Sequence, residues 1–249
     1  MKWIAVVGLA SAVAAVAAVR ARPHAERHTS SVTAPGDAAA VRVTAFFERN
    51  DGRAPRVFRY LARHAEHEFS FAPSAVAIAI SDDTGSSVVE LRFDGGRAQE
   101  PEAEQPSAAR ANYLRGAATS DRVVDVPTFE RIRYPEVYRG IDAVFYASGP
   151  RVEYDLVVAP HADPSVIALA FDGAAWVRVG ETGDLFVETS HGSMIQRKPD
   201  VYQVRGERRV AVPAAYRVDG TRALLALGAY DAAEMLVIDP VIADSACRP

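Results

Sequence analysis

Residues 141–158 read IDAVFYASGPRVEYDLVV, two alternating stretches around a Gly149-Pro150 step. Ile141, Ala143 and Phe145 are the apolar positions of the first half, and Val152, Tyr154 and Leu156 those of the second. Asp142, Tyr146, Glu153 and Asp155 lie between them. Alternation of period two sends one set of side chains to each face of a strand, so the segment predicts a β-hairpin with its apolar face toward a core. With residues 147–150 as the turn, Asp142 falls opposite Asp155, Val144 opposite Glu153 and Tyr146 opposite Arg151. A slip would put charges on the core face, so the hydrophobic pattern protects this register.

The same rhythm recurs on both sides. Residues 69–71, 76–80, 88–93 and 129–134 precede the hairpin, and residues 167–171, 176–179, 185–189, 193–197, 210–212, 216–218 and 222–227 follow it. Asp172-Gly173, Thr182-Gly183-Asp184, His191-Gly192, Arg205-Gly206 and Asp219-Gly220 supply turn chemistry between them. Short strands at this spacing predict an all-β fold of antiparallel sheets in a sandwich-like layered architecture. Residues 94–110 (DGGRAQEPEAEQPSAAR) are acidic, contain proline and lack large apolar side chains, so they are expected to form a linker. They would divide an N-terminal β region, residues 41–93, from a main one, residues 111–242, giving either one layered body or two β subdomains. Residues 243–249 form a tail, and the one helical expectation is a short helix over residues 38–48.

The first 19 residues read as a signal peptide: Lys2, then an uncharged run over residues 3–19 with Ala15-Val16-Ala17 as a cleavage motif, ended by Arg20, Arg22 and Arg27. An uncleaved anchor helix is the alternative, since the run sits at the lower edge of spanning length. Residues 20–40 read as a disordered lead. The expected location is secreted, periplasmic or cell-surface, with membrane contact only through the signal segment. A formal charge of -4 gives no general attraction to nucleic acid. Cys247 is the only cysteine, which excludes an intramolecular disulfide and a thiolate metal cluster.

Three side-chain groups invite a chemical reading. Asp142, Glu153 and Asp155 on the polar face of the hairpin could hold a divalent cation or serve as a glycosidase pair. The preferred reading is neutralisation by Arg131, Arg133, Arg139 and Arg151. His64, His67 and Glu68 give H-x-x-H-E, whose spacing is wrong for a zinc-protease helix, and His161 and His191 are isolated loop residues. Trp176 with Tyr146, Tyr154 and Tyr202 could form a sugar-stacking platform, although aromatics scattered through strands are usually core. No catalytic, cofactor-binding or metal-binding residue is assigned, and no cofactor is expected.

Longer blocks carry a resemblance. They are Phe47-Glu48-Arg49-Asn50-Asp51-Gly52-Arg53, Ala111-Asn112-Tyr113-Leu114-Arg115-Gly116, and Val126-Pro127-Thr128-Phe129 leading into Arg133-Tyr134-Pro135-Glu136-Val137-Tyr138-Arg139-Gly140-Ile141-Asp142. The hairpin follows, continued by Ala159-Pro160 and Ala162-Asp163-Pro164, then Gly183-Asp184-Leu185, Lys198-Pro199, Tyr202-Gln203 and Leu236-Val237-Ile238-Asp239-Pro240. Over residues 45–242 the chain resembles an uncharacterised domain, a domain of unknown function, of bacterial secreted and cell-surface proteins. That domain is commonly followed by β-propeller-type (SBBP) repeats. Arg53 stands where the family usually has glutamine, and this chain stops where relatives usually continue, so it is expected to be a stand-alone domain or a truncated relative. The resemblance implies export, an all-β fold and a surface role, and transfers no catalytic residue. The expected function is an exported, non-catalytic β module with a structural or recognition role. A glycan-binding module, or a carbohydrate-active enzyme using the clustered carboxylates, is the alternative. The partner is unknown, with a cell-surface protein or glycan as the expected kind and nucleic acid excluded.

Overall fold

The computed structural model describes residues 45–64, 67–114, 122–149, 151–206 and 208–243. The signal segment, the lead over residues 20–40 and Cys247 lie outside them. Strands β1 (Phe47–Arg49), β2 (Tyr60–His64), β3 (His67–Phe71), β4 (Ala75–Ser81) and β5 (Ser86–Phe93) come first. The long strands β6 (Glu102–Leu114) and β7 (Arg122–Tyr138) follow, then the hairpin β8 (Ile141–Ser148) and β9 (Arg151–Val158). A 3-10 turn, Pro164–Val166, leads to β10 (Ala168–Asp172). Next are β11 (Trp176–Val179), β12 (Leu185–Thr189), β13 (Gly192–Gln196), β14 (Asp200–Arg205) and β15 (Arg208–Ala211). The last are β16 (Ala214–Asp219), β17 (Arg222–Leu227), β18 (Leu236–Asp239) and β19 (Ile242–Ala243). The fold is all-β and antiparallel, with an open 15-stranded sheet and a four-stranded sheet ordered β11-β12-β13-β19.

The layering comes from one strand. β6 lies along β7 from the Arg133–Glu102 pair to the Arg122–Leu114 pair and so occupies one hydrogen-bonding edge. The other edge is shared: β1 pairs at Thr128 and Phe129, and β8 takes over from Arg131 to Tyr138. The sheet therefore forks at β7. One branch runs β1-β2-β3-β4-β5-β10-β17-β16 and the other β8-β9-β18-β14-β15. Branches leaving the same edge must stack, and their inner aromatics meet. Phe71 of β3 lies edge-on to Phe145 of β8 at 5.2 Å, and to Phe47 at 5.4 Å, while Tyr154 of β9 stacks on Phe145 at 5.0 Å. Offset and edge-on geometries are those aromatic rings favour. The small sheet adds Val177, Leu185, Val187 and Met194 to the same core.

A polar chain ties the layers inside that core. Tyr154 donates to Gln196 Oε1 (2.9 Å), Gln196 Nε2 donates to Tyr216 Oη (2.8 Å), and Tyr216 donates to the Arg197 carbonyl (3.1 Å). β9, β13 and β16 are thereby linked through groups that would be costly to bury unpaired.

Two expectations are corrected. The second half of residues 94–110 belongs to β6, and strands from both sides of that stretch share one sheet. An edge strand needs backbone pairing more than apolar side chains, and here only Ala111 of residues 102–113 is buried. Phe47 and Glu48, within the expected helix, belong to β1. Turn chemistry was read correctly: Gly173, Gly183, Gly192, Gly206 and Gly220 all have positive φ. At Gly220 the Asp219–Arg222 pair leaves a two-residue loop, whose first position favours a residue free to adopt φ of +62°.

Candidate functional site

The hairpin forms with the expected faces and a different register. Val144 lies opposite Asp155, Tyr146 opposite Glu153, Ser148 opposite Arg151, and Asp142 opposite Val157. This is a shift of two residues from the expected pairing, which keeps every side chain on its face and so escapes the hydrophobic pattern. It gains the Ala147–Val152 and Ser148–Arg151 pairs through a two-residue connection in which Gly149 has φ of +59°. It also removes the direct Asp142–Asp155 opposition, a destabilising like-charge pair.

Asp142 has a structural occupation. Its Oδ2 accepts from Arg133 Nε (3.0 Å) and Nη2 (2.8 Å), and its Oδ1 accepts from the Glu136 amide (2.7 Å). Between the Tyr134–Ala143 and Tyr138–Ile141 pairs β7 carries two extra residues, with Glu136 at φ of +46°. Pro135 suits such a bulge because it has no amide to pair. Tyr138, at the far side, donates to the carbonyls of Asp94 (3.0 Å) and Ala168 (2.9 Å). The Arg133–Asp142 block thus builds a bulge and holds it.

Asp155 departs from the arginine expectation. It accepts a hydrogen bond from Tyr146 Oη (3.2 Å) and forms no ion pair among the described residues; Arg131 and Arg209 act on it only through their fields. Burial raises its pKa and Glu153 adds to the effect. Arg151 is exposed, and Arg139 lies in a turn away from this face.

Two further carboxylates complete the row. β18 pairs with β9 through Ile238–Leu156, which puts Asp239 beside Asp155, and β14 pairs with β18 with Asp200 opposite Asp239. Asp239 Oδ1 is buried and makes no hydrogen bond. Its pKa is pushed up to about 6, first by burial, then by Asp155, Glu153 and Asp200, against an opposing pull from Arg209. Tyr146 beside them is held well above the ordinary phenol range, mainly by burial. Such a row can hold a proton near neutrality and offer it as a donor. Among the described residues no group of three His, Cys, Asp or Glu is arranged to hold a metal ion. The strand β18 is not read from the sequence, where residues 236–240 enter only as a block of the resemblance, and its insertion between β9 and β14 has no local signal.

The other candidates scatter. His64 and His67 are backbone register partners on β2 and β3, and His67 is buried. His191 is not isolated: its Nδ1 lies 3.2 Å from Thr84 Oγ1, and its ring covers Gly85, where a Cβ would come within 2.5 Å. Of the proposed platform, Tyr154 is wholly buried, Tyr202 lies beneath the Arg209 guanidinium (4.2 Å), and Trp176 is exposed on the edge strand of the small sheet. They form no common surface.

Elsewhere polar side chains also anchor backbone. Asn50 Nδ2 donates to the carbonyls of Ala54, Pro55 and Phe58 (3.1, 3.0 and 2.9 Å), while its Oδ1 accepts from the amides of Gly52 and Ala54. Asp184 accepts from the Lys198 amide (2.8 Å) and Arg197 Nη1 (2.9 Å). Gln203 both donates to the Asp231 carbonyl (2.8 Å) and accepts from its amide (2.9 Å). No curated protein matches the chain, and no solved structure does. Residues 47–241 match the model of the family described as Domain of unknown function (DUF7948), and the chain belongs to that family.

Proposed function

We propose that the chain is an exported, non-catalytic β module with a structural or recognition role at the cell surface or in the periplasm, of the kind that precedes β-propeller-type repeats. The observation that carries this reading is the use made of the family blocks. Asn50, Arg133, Tyr138, Asp142, Asp184 and Gln203 spend their polar atoms on backbone groups or on one another within the fold. A side chain committed to its own scaffold is poorly placed to hold or turn over a substrate. Export rests on Lys2 and the apolar run after it.

Cell fractionation with N-terminal sequencing tests the location: mature protein starting near residues 18–22, outside the cytoplasm, is expected. An intact Met1 in the soluble cytoplasm refutes export. The raised pKa of Asp239 beside Asp155 favours one rival, a carbohydrate-active enzyme with a carboxyl acid. Assay of chromogenic glycosides with wild type and Asp239→Asn separates the two: turnover lost in the variant would establish the rival.

A further inference from the structure

Three turns distant in sequence meet where β5, β7 and β9 end. Residues 95–97 follow β5, residues 137–140 span the end of β7 and its turn into β8, and residues 159–163 lead from β9 into the 3-10 turn. Between them lies an open cleft of about 590 Å³, within the range of small-ligand sites. Backbone hydrogen bonds fix its walls: Arg97 N to the Val137 carbonyl (2.8 Å) and Ala159 N to the Gly140 carbonyl (2.9 Å). Two of its lining glycines are needed for the turns to approach this closely. A Cβ at Gly96 would sit 2.5 Å from the Val137 carbonyl oxygen, and one at Gly140, whose φ is +72°, would sit 2.9 Å from Ala162 Cβ.

Each turn contributes one basic side chain to the rim: the guanidinium groups of Arg97 and Arg139, and the imidazole of His161. Arg139 makes no ion pair among the described residues, and Arg97 has a single loose contact, 3.8 Å to Glu136, with both side chains more than half exposed. Arg92, Arg133 and Arg222 are instead held by carboxylates at 2.5, 2.8 and 3.1 Å. His161 has φ of +64°, a conformation that glycine adopts freely and other residues at a cost, and its amide is fixed to the Ala232 carbonyl (2.7 Å). Asp163, the one carboxylate in the lining, caps the 3-10 turn: it accepts from the Ser165 amide (2.9 Å). Hydrogen bonding from the Ser165 side chain first and its amide second holds its pKa below the usual range, so it stays an anion whose acceptor oxygens are engaged by Ser165.

We propose that this cleft binds an oxyanion, a carboxylate or phosphate carried on a body no larger than a disaccharide. Arg97 and Arg139 grip it and His161 is the third donor. Guanidinium groups suit this role because their planar forks match carboxylate and phosphate oxygens. The inference deepens the recognition role above and rests on it only for where the ligand is met.

Calorimetric titration of the full chain with digalacturonate, inorganic phosphate and uncharged lactose tests it. Binding of digalacturonate alone identifies an acidic sugar; equal or tighter binding of phosphate identifies the phosphate source. Arg139→Ala should weaken the bound anion about tenfold or more, the scale of one charge-assisted hydrogen bond, and Arg178→Ala on the small sheet should leave it unchanged. His161→Gly relieves the backbone and should keep the melting temperature while weakening binding, which separates a lost contact from a lost fold. The proposal is overturned if neither anion binds at millimolar concentration, if lactose binds as well, or if Arg139→Ala is silent. A cytoplasmic chain that binds the anion refutes the location alone, and an exported chain that binds none refutes the cleft alone.

Discussion

Asp200 and Asp239 stand directly opposite each other on β14 and β18, and one step beyond the Ile238–Leu156 pair Asp239 also adjoins Asp155. Three carboxylates in a row across neighbouring strands would repel strongly if all were ionised. The fold answers by making Asp239 a weak acid, with a pKa of about 6.

That answer has a sign. A carboxyl whose folded pKa lies above its unfolded value of about 3.9 stabilises the fold fully below the lower value, and the contribution is lost as pH rises through the upper one. Two pKa units correspond to about 3 kcal/mol at most, and partial exposure reduces this to about 2 kcal/mol. Asp239→Asn should therefore match wild type near pH 4 and exceed it by about 2 kcal/mol at pH 7. Urea midpoints at both values check this; a variant less stable at pH 7 would show that the charge is held by something favourable.

Asp142 and Asp155 should part company. Asp142→Ala strips the Arg133 guanidinium and the Glu136 amide of their acceptor, at a cost of about 1–3 kcal/mol. Asp155→Ala removes a partly buried charge that has a phenol for company and acids beside it, so its effect at pH 7 should be within about 1 kcal/mol of zero. Thermal melts of the two variants decide, and equal losses would contradict the distinction.

This pair also shows how far sequence reasoning reached. Alternation along residues 141–158 placed Asp142 and Asp155 on the outer face, because faces depend only on parity. It could not distinguish registers two residues apart, because both satisfy parity; the tightness of the turn at Gly149 decides, and that is a property of the backbone. For the same reason β6 was missed: an edge strand can be paired along its length while carrying Glu102, Glu104 and Pro106. Asp239 and Asp200 were missed because nothing local announces that β18 inserts between β9 and β14.

The buried link through Gln196 should be worth more than any surface ion pair. Gln196→Leu strands the Tyr154 hydroxyl in the core and takes from Tyr216 the bond it accepts, leaving its own donation to the Arg197 carbonyl, and a loss of about 1–3 kcal/mol is expected. Adding Tyr154→Phe to that variant should restore part of the loss, because the apolar replacement removes one stranded donor. A double-mutant cycle in urea measures the coupling; strict additivity would mean that the network contributes nothing as a network.

Arg53 gives the last prediction. Its Nη2 lies 2.5 Å from Glu48 Oε2 with both side chains almost fully buried, and its guanidinium covers the Tyr113 ring at 3.9 Å. The Tyr113 hydroxyl donates to Glu48 Oε1, so β6 is fastened to β1 through one carboxylate. Removing one member of a buried ion pair strands the other, so Glu48→Ala should cost about 3–5 kcal/mol. Arg53→Gln removes the cation and leaves Glu48 with the phenol, and should cost less, about 1–3 kcal/mol. With Glu48→Gln added to Arg53→Gln the charges are gone together, so the double variant should be more stable than the sum of the single losses implies. Hydrogen exchange supplies an independent reading: Tyr113→Phe should speed exchange in β6, which pairs with β7 alone, and leave β8 and β9 unchanged. Uniform acceleration across all three strands would mean that the Glu48 contact supports the fold as a whole and does not fasten its edge.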